Sequence, residues 1–270
     1  MICFPNAKIN LGLHITSKRK DGYHDIESCM VPIPLYDALE MIIDSKKTTF
    51  ESTGLSIPGE SKDNLILKAF SLLKKDFPSL PHLQIHLHKA IPIGAGLGGG
   101  SADGAFALSL MNNLFDLILD DFFLEEYAAQ LGSDCAFFIE NTPKIATGRG
   151  EVLEPIDLDL KGTHVVLINP GIHISTKEAY AGVTPSAPRV KLKEVLADRS
   201  RWKAELINDF EASIFPNHPE IAEIKAKLYQ AGAFYAAMSG SGSSVFGLFD
   251  SKPRKMDWKD TYFLAESEFK

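Results

Sequence analysis

Five of the seven residues from 94 to 100 are glycine, in the run Pro92-Ile93-Gly94-Ala95-Gly96-Leu97-Gly98-Gly99-Gly100-Ser101. Glycine loses more conformational freedom on folding than any other residue, so packing alone does not favour such a cluster. The backbone there must curl tightly or come close to something. Strict alternation at Leu83, Ile85 and Leu87 marks a strand just before the run. Leu108, Met111, Phe115 and Ile118 just after it are spaced for one face of a helix. A glycine-rich turn that opens a helix presents main-chain N–H groups and a partial positive charge, which suits phosphate. A flexible linker would instead mix glycine with serine and lack those flanks.

Two common phosphate loops are excluded. The chain has no Gly-Lys dipeptide, which the Walker type requires. Gly94, Gly96 and Gly99 satisfy the dinucleotide pattern G-x-G-x-x-G by letters, but that pattern needs a second strand after the helix, ending in an acid for the ribose. Residues 120–131 read instead as another helix, stopped at Gly132.

The rest of the chain limits what the loop can serve. At 270 residues it is long enough for two domains, and 45% hydrophobic with 23% charged residues is ordinary for a globular protein. A net charge of −7 argues against nucleic acid, whose backbone needs a basic face, and leaves anionic ligands to local amides and lysines. Cys3, Cys29 and Cys135 lack metal-ligand spacing and read as reduced thiols. Neither a membrane-length apolar run nor a signal pattern is present, so a cytoplasmic protein without membrane contact is expected. Strands are expected at Phe4–Leu13, Thr163–Ile168, Phe234–Met238 and Val245–Phe249, and helices at Asn64–Phe77 and Pro219–Gln230. Thr184–Arg201, with Pro185 and Pro188 early, reads as loosely structured. A second glycine loop spans Ser239–Ser244.

Pro92–Ala102 resembles the Pro-x-x-x-Gly-Leu-Gly-Ser-Ser type motif of the galactokinase, homoserine kinase, mevalonate kinase and phosphomevalonate kinase (GHMP) superfamily. Three further runs resemble the branch of it that acts on 4-diphosphocytidyl-2-C-methyl-D-erythritol. They are Ala7-Lys8-Ile9-Asn10-Leu11-Gly12-Leu13, Asp21-Gly22-Tyr23-His24 and Leu131-Gly132-Ser133-Asp134. The resemblance extends from Phe4 to Gly247, in order. It implies an α+β, two-domain fold, with an N-terminal ribosomal-S5-like, ATP-binding domain over 1–155. A C-terminal ferredoxin-like α/β sandwich would cover 156–270, with the active site in the cleft between them. The implied activity is ATP-dependent phosphorylation of that substrate's 2-hydroxyl, in the non-mevalonate route to isoprenoids. ATP with Mg2+ carried by the nucleotide, a cytidine diphosphate small molecule as substrate, and a monomer or weak homodimer go with it. Another GHMP activity, of mevalonate or homoserine type, and a non-catalytic nucleotide sensor are the alternatives.

The same resemblance assigns residues. Asp134 would be the base, and Lys8 would pair with it and stabilise charge on the attacking oxygen. Alone, Asp134 reads as a turn cap and Lys8 as a strand lysine reaching solvent. Asn10, on the same strand face as Lys8, would touch substrate. Tyr23 and His24 suit a pyrimidine, offering a ring to stack on and an imidazole for the base edge, although Asp-Gly-Tyr-His alone reads as a surface loop. Tyr180 and Thr176 would complete that slot, and Met30 stands where the family often has an aromatic residue. For ATP, the implied residues are the loop from Pro92 to Ala102, including Ser101, with Asn64 and Lys89 at the adenine end. Asn64 serves equally well as a helix cap. Gly240 and Gly242 would close the substrate side, or simply turn a hairpin. His82, His86 and His88 read as the wet face of a strand, with no metal ligand assigned. Gly104, inside a helix, should cost about 1 kcal/mol without evident reason.

Overall fold

The computed structural model describes residues 1–44, 46–59, 63–185 and 190–270. Strands β1 (Ile2–Cys3), β2 (Asn6–Lys18), β3 (His24–Tyr36), β4 (Ala38–Asp44), β5 (Thr49–Gly54) and β6 (His82–Lys89) precede the glycine run, with helix α1 (Leu65–Asp76) among them. Helices α2 (Gly99–Leu114), α3 (Asp121–Leu131) and α4 (Phe137–Glu140) follow, and then β7 (Lys144–Gly148), β8 (Val152–Pro155) and β9 (His164–Asn169). The remainder comprises α5 (Thr176–Ala181), α6 (Leu192–Leu196), α7 (Trp202–Glu205), α8 (Phe210–Ile214), α9 (Pro219–Gln230), β10 (Tyr235–Met238), β11 (Val245–Phe249) and β12 (Phe263–Glu268). The described residues fall into two compact units. The first is Met1–Ala7, Leu35–Ile93 and Gly98–Thr142; the second is Lys8–Pro34, Gly94–Leu97 and Pro143–Lys270.

In the first unit, a four-stranded sheet runs β1-β4-β6-β5, with β5 parallel to β6 and the other pairs antiparallel. β6 alternates as its sequence requires: Leu83, Ile85 and Leu87 are buried, and His82, His86 and His88 lie on the wetter face. Those histidines bond threonine hydroxyls, His82 to Thr48 and both His86 and His88 to Thr53. Beneath the sheet, α1 contributes Ile66, Ala69, Phe70 and Leu73, and α2 contributes Ala107, Leu108, Leu110 and Met111. Helix α2 ends before the face read from sequence does. Phe115 is its C-cap, and Ile118 lies beyond it at φ 56° and 92% exposed, so the expected apolar stripe loses its last member. Gly104 has a packing reason. A Cβ there would sit 3.0 Å from Leu65 Cβ and 3.4 Å from Leu131 Cδ1, so glycine lets α1 and α3 approach α2.

The second unit holds sheets β2-β3-β7-β8 and β10-β11-β9-β12. Ile168, Met238 and Val245 of the latter sheet pack with Ile221, Ile224 and Leu228 of α9. Helix α9 matches its expected bounds, with Pro219 in its first turn, where the missing N–H costs nothing. The early strand starts at Asn6, past Pro5, and continues to Lys18. The stretch expected to be loose contains α6, with Leu192, Val195 and Leu196 buried; Pro188 lies outside the described residues. Met30 is a core residue of β3, 2% exposed, rather than part of an open slot.

Candidate active site

The glycine run is an alternating backbone. Gly94, Gly96 and Gly98 have φ of 64°, 77° and 68°, whereas Ala95 and Leu97 between them are not in the left-handed region. That alternation is the geometry in which successive N–H groups converge on an anion. The carbonyls of the loop are committed elsewhere. Ala95 O accepts from Ser244 N at 3.2 Å, Gly96 O from Ser239 Oγ at 2.8 Å and Leu97 O from Lys8 N at 2.9 Å. No Cβ is tolerated at Gly96, where it would lie 1.9 Å from Ser239 O. Gly98 then opens α2 as an N-cap without a side-chain hydrogen bond, and no acidic residue occupies the first turn. By contrast, α1 and α3 are capped by Asn64 and Asp120. The start of α2 thus keeps a positive end that no cap consumes.

The second glycine loop is pinned from behind. Asn208, 1% exposed, donates to Met238 O and Gly240 O, both at 2.8 Å, and its own oxygen accepts from Phe210 N. Ser239 N bonds Ser244 O at 2.9 Å, which closes the loop. This places Gly240 beside Gly96, its ideal Cβ 3.2 Å from Gly96 O. Asn208 gave no sequence signal, because only the fold brings it to the carbonyls it holds.

A cavity of ≈ 290 Å³ opens in the first unit, lined in part by Asn64, Leu65, Lys89, Ile93, Gly100 and Asp103. A Cβ on Gly100 would meet nothing within 4 Å, so its lack of a side chain has no packing cause. Gly99 is different: its Cβ would lie 2.8 Å from Ile91 Cγ2 and 3.1 Å from Lys89 Nζ. Asn64 caps α1 by accepting from Ile66 N at 2.9 Å and lines the cavity as well. Lys89 is buried and engaged: its ammonium donates to Asp37 Oδ2 and, at 2.6 Å, to Asp103 Oδ2. Asp37 Oδ1 accepts from Ala90 N and Ile91 N at 2.6 and 2.9 Å. Burial pushes the Asp103 carboxyl up to about 7; Lys89 pulls it down and Asp37 adds to the rise. Neither aspartate stood out in the sequence, since each needs the fold to bring it to Lys89.

In the second unit, Lys8 is 3% exposed and donates to Asn10 Oδ1 at 2.7 Å. Asn10 Nδ2 donates to Ser28 Oγ at 2.8 Å, and Ser28 donates onward to Gly12 O at 2.7 Å. His24 stacks on Tyr180 with centroids 4.8 Å apart and planes at 19°, and Tyr180 meets Phe210 edge-on. Tyr23 is 59% exposed, with the Arg149 guanidinium 5.2 Å from its ring centroid, a cation–π geometry. Thr176 begins α5, whose cap is Ser175. Asp134, in the first unit, follows α3 in the short link to α4; Ser133 Oγ lies 3.4 Å from its Oδ1. Burial pushes all three cysteine thiols up to about 12, so none offers a thiolate at neutral pH.

Comparison with known proteins gives this geometry its family. The GHMP kinases N terminal domain model matches residues 64–141, and the GHMP kinases C terminal model matches 192–255. The 4-diphosphocytidyl-2-C-methyl-D-erythritol kinase of Parabacteroides distasonis is 53% identical over 270 residues, covering 100% of this chain and 96% of the relative. That of Bacteroides fragilis is 54% identical over 276 residues, covering both chains completely. A crystal structure of 4-(cytidine 5'-diphospho)-2C-methyl-D-erythritol kinase aligns with TM-score 0.81 at 32% identity, over 93% of this chain and 91% of that one. The chain belongs to the 4-diphosphocytidyl-2-C-methyl-D-erythritol kinase family of GHMP kinases. It is an ATP-dependent small-molecule kinase with the two-domain α+β fold of that superfamily. Mevalonate kinase of Methanococcus jannaschii, at TM-score 0.70 and 12% identity, shares the fold alone. Among the described residues, no helix of this kinase is long and apolar enough to cross a membrane.

Proposed function

We propose that this kinase transfers the γ-phosphoryl group of ATP to the 2-hydroxyl of 4-diphosphocytidyl-2-C-methyl-D-erythritol. The observation that carries the phosphate site is the alternating Gly94–Gly98 backbone running into the uncapped start of α2, with its carbonyls tied away. In this reading the main-chain amides of the loop, with Ser101, grip the triphosphate, and the cavity lined by Asn64 and Lys89 takes the adenine. Magnesium would arrive with the nucleotide, keep much of its water shell and neutralise phosphate charge. Among the described residues no group of three or more His, Cys, Asp or Glu is placed to hold a metal ion.

For the acceptor side, Tyr23, His24, Thr176 and Tyr180 recognise the cytidine end, and Asn10 contacts the substrate. Asp134 takes the hydroxyl proton as the oxygen–phosphorus bond forms and the bond to ADP breaks. Lys8 stabilises the negative charge on the attacking oxygen. The buried Lys8–Asn10–Ser28 chain supports this, because it fixes the ammonium on a strand rather than leaving it to solvent. Residues 1–155 form the ATP-binding division in this reading, and 156–270 its C-terminal companion. The kinase acts in the cytoplasm as a monomer or weak homodimer, on small molecules alone. The net charge of −7 supports that choice of partners.

Coupled ADP release with the cytidyl substrate tests the reading, with mevalonate and homoserine as controls. Asp134→Asn should lower kcat by roughly 10²–10⁴-fold, the usual contribution of a positioned base. Full turnover by that variant would overturn the assignment, and turnover only with a control alcohol would overturn the substrate.

A further inference from the structure

The buried trio Lys89, Asp37 and Asp103 has one more carboxylate than its cation can balance. Asp37 has both oxygens occupied by N–H donors, two from the main chain and one from Lys89. Asp103 is 5% exposed; its Oδ2 accepts from Lys89, while its Oδ1 is buried without a hydrogen-bond partner. A buried oxygen of this kind is costly as part of an anion. A proton on it makes the trio neutral and gives the oxygen a hydrogen to share.

We propose that Asp103 is a positioning residue whose exchangeable proton controls nucleotide affinity. Protonated, it completes a neutral cluster that fixes the first turns of α2 against the end of β6. Ionised, it leaves an uncompensated negative charge in the wall of the cavity. This rests on the reading that the cavity holds the nucleotide. The groups facing Asp103 are few. Lys89 comes from the end of β6, and Asp37 from the link between β3 and β4. Cys3 comes from β1, its thiol neutral because burial pushes it up to about 12. Asp63, also on the cavity lining, is paired with Lys68 at 3.7 Å. Burial holds the Asp103 carboxyl up at about 7, so both forms are populated near neutrality. A nucleotide brings more negative charge, so it binds the protonated form better, and binding draws in a proton.

The test compares the intact protein with Asp103→Asn, which keeps the shape and cannot ionise. Calorimetric titration with ADP at pH 7.5, in buffers of different ionisation enthalpy, should show the wild type taking up more protons than the variant. Titration of the nucleotide's own phosphates is common to both and cancels. The KM for ATP should rise about fivefold or more from pH 6.5 to 8.5 in the wild type, the lower end of usual coupling, relative to the variant. Equal proton counts and parallel KM curves would overturn the proposal. If Asp103→Asn does not fold, carbon NMR of the wild-type carboxyl decides: its midpoint must rise when ADP binds, and an unmoved midpoint refutes the idea. Should the proton difference persist while Gly100→Ala leaves ADP binding untouched, the location of the nucleotide fails and the proton linkage stands.

Discussion

Gly100→Ala separates the demands of the fold from those of a ligand, because the two act with opposite sign. Gly100 is the second residue of α2, and a Cβ there meets nothing within 4 Å. Alanine is the better helix former by roughly 0.5–1 kcal/mol, so the substitution should stabilise the protein. For a domain of this size that corresponds to about 2–4 °C in Tm per kcal/mol. The added methyl, however, stands on the wall of the ≈ 290 Å³ cavity, at the helix end proposed to grip phosphate. It should hold the phosphates off the amides and raise the KM for ATP about tenfold or more, equivalent to about 1.4 kcal/mol. Gly99→Ala and Gly96→Ala calibrate the measurement. The first pushes a Cβ to 2.8 Å from Ile91 Cγ2, an overpacking cost of about 1–3 kcal/mol. The second adds a strained φ of 77° and a Cβ 1.9 Å from a main-chain oxygen. Thermal melts and initial rates at varied ATP read out all three. A Gly100→Ala protein that melts higher yet keeps the wild-type KM would refute the phosphate reading of the loop.

Asn208→Ala should lower stability by roughly 2–4 kcal/mol, because it leaves Met238 O and Gly240 O buried without that donor; denaturant melts check this. Stability should also carry the signature of Asp103, whose folded value of about 7 lies above the usual carboxylate range. Between pH 4 and 7 the unfolded chain gives up that proton while the folded one keeps it, so this group's contribution falls as pH rises. The Tm of Asp103→Asn relative to wild type should therefore climb from pH 4.5 to 7.5, and a constant difference would exclude the raised value.

Local pattern made much of this molecule legible. The alternation of β6, the bounds of α9 and the helix start at Asn64 all follow from period and capping chemistry within a few residues. The glycine run carries the proposed anion loop because five residues without side chains admit few other uses. Sequence failed where the reason for a residue lies on another segment. Gly104 read as an unexplained helix defect, since Leu65 and Leu131, which crowd it, are far away in the chain. Residues 184–201 read as loose, yet three apolar residues there are buried in α6. Lys89 was recognisable as a candidate, but Asp37 and Asp103 are 52 and 14 residues away from it, and only tertiary structure makes them a cluster.

An acidic chain that handles polyanions has two options: concentrate lysines at the site, or use main-chain dipoles. The site proposed here uses the second. Lys89, the one lysine or arginine among the described residues lining the cavity, already serves two carboxylates, so little of its charge is left for a ligand. The amides of Gly94–Gly98 and the start of α2 carry no net charge, need no counter-ion and are fixed by Ser239, Ser244 and the Lys8 backbone before a ligand arrives. Fixed dipoles do not reorganise when charge appears, which suits a reaction whose transition state spreads charge over phosphoryl oxygens. Such a site is also sensitive to any stray charge nearby, since its attraction is modest. A single proton on Asp103 can then matter, because it decides whether the wall of the cavity is neutral or negative.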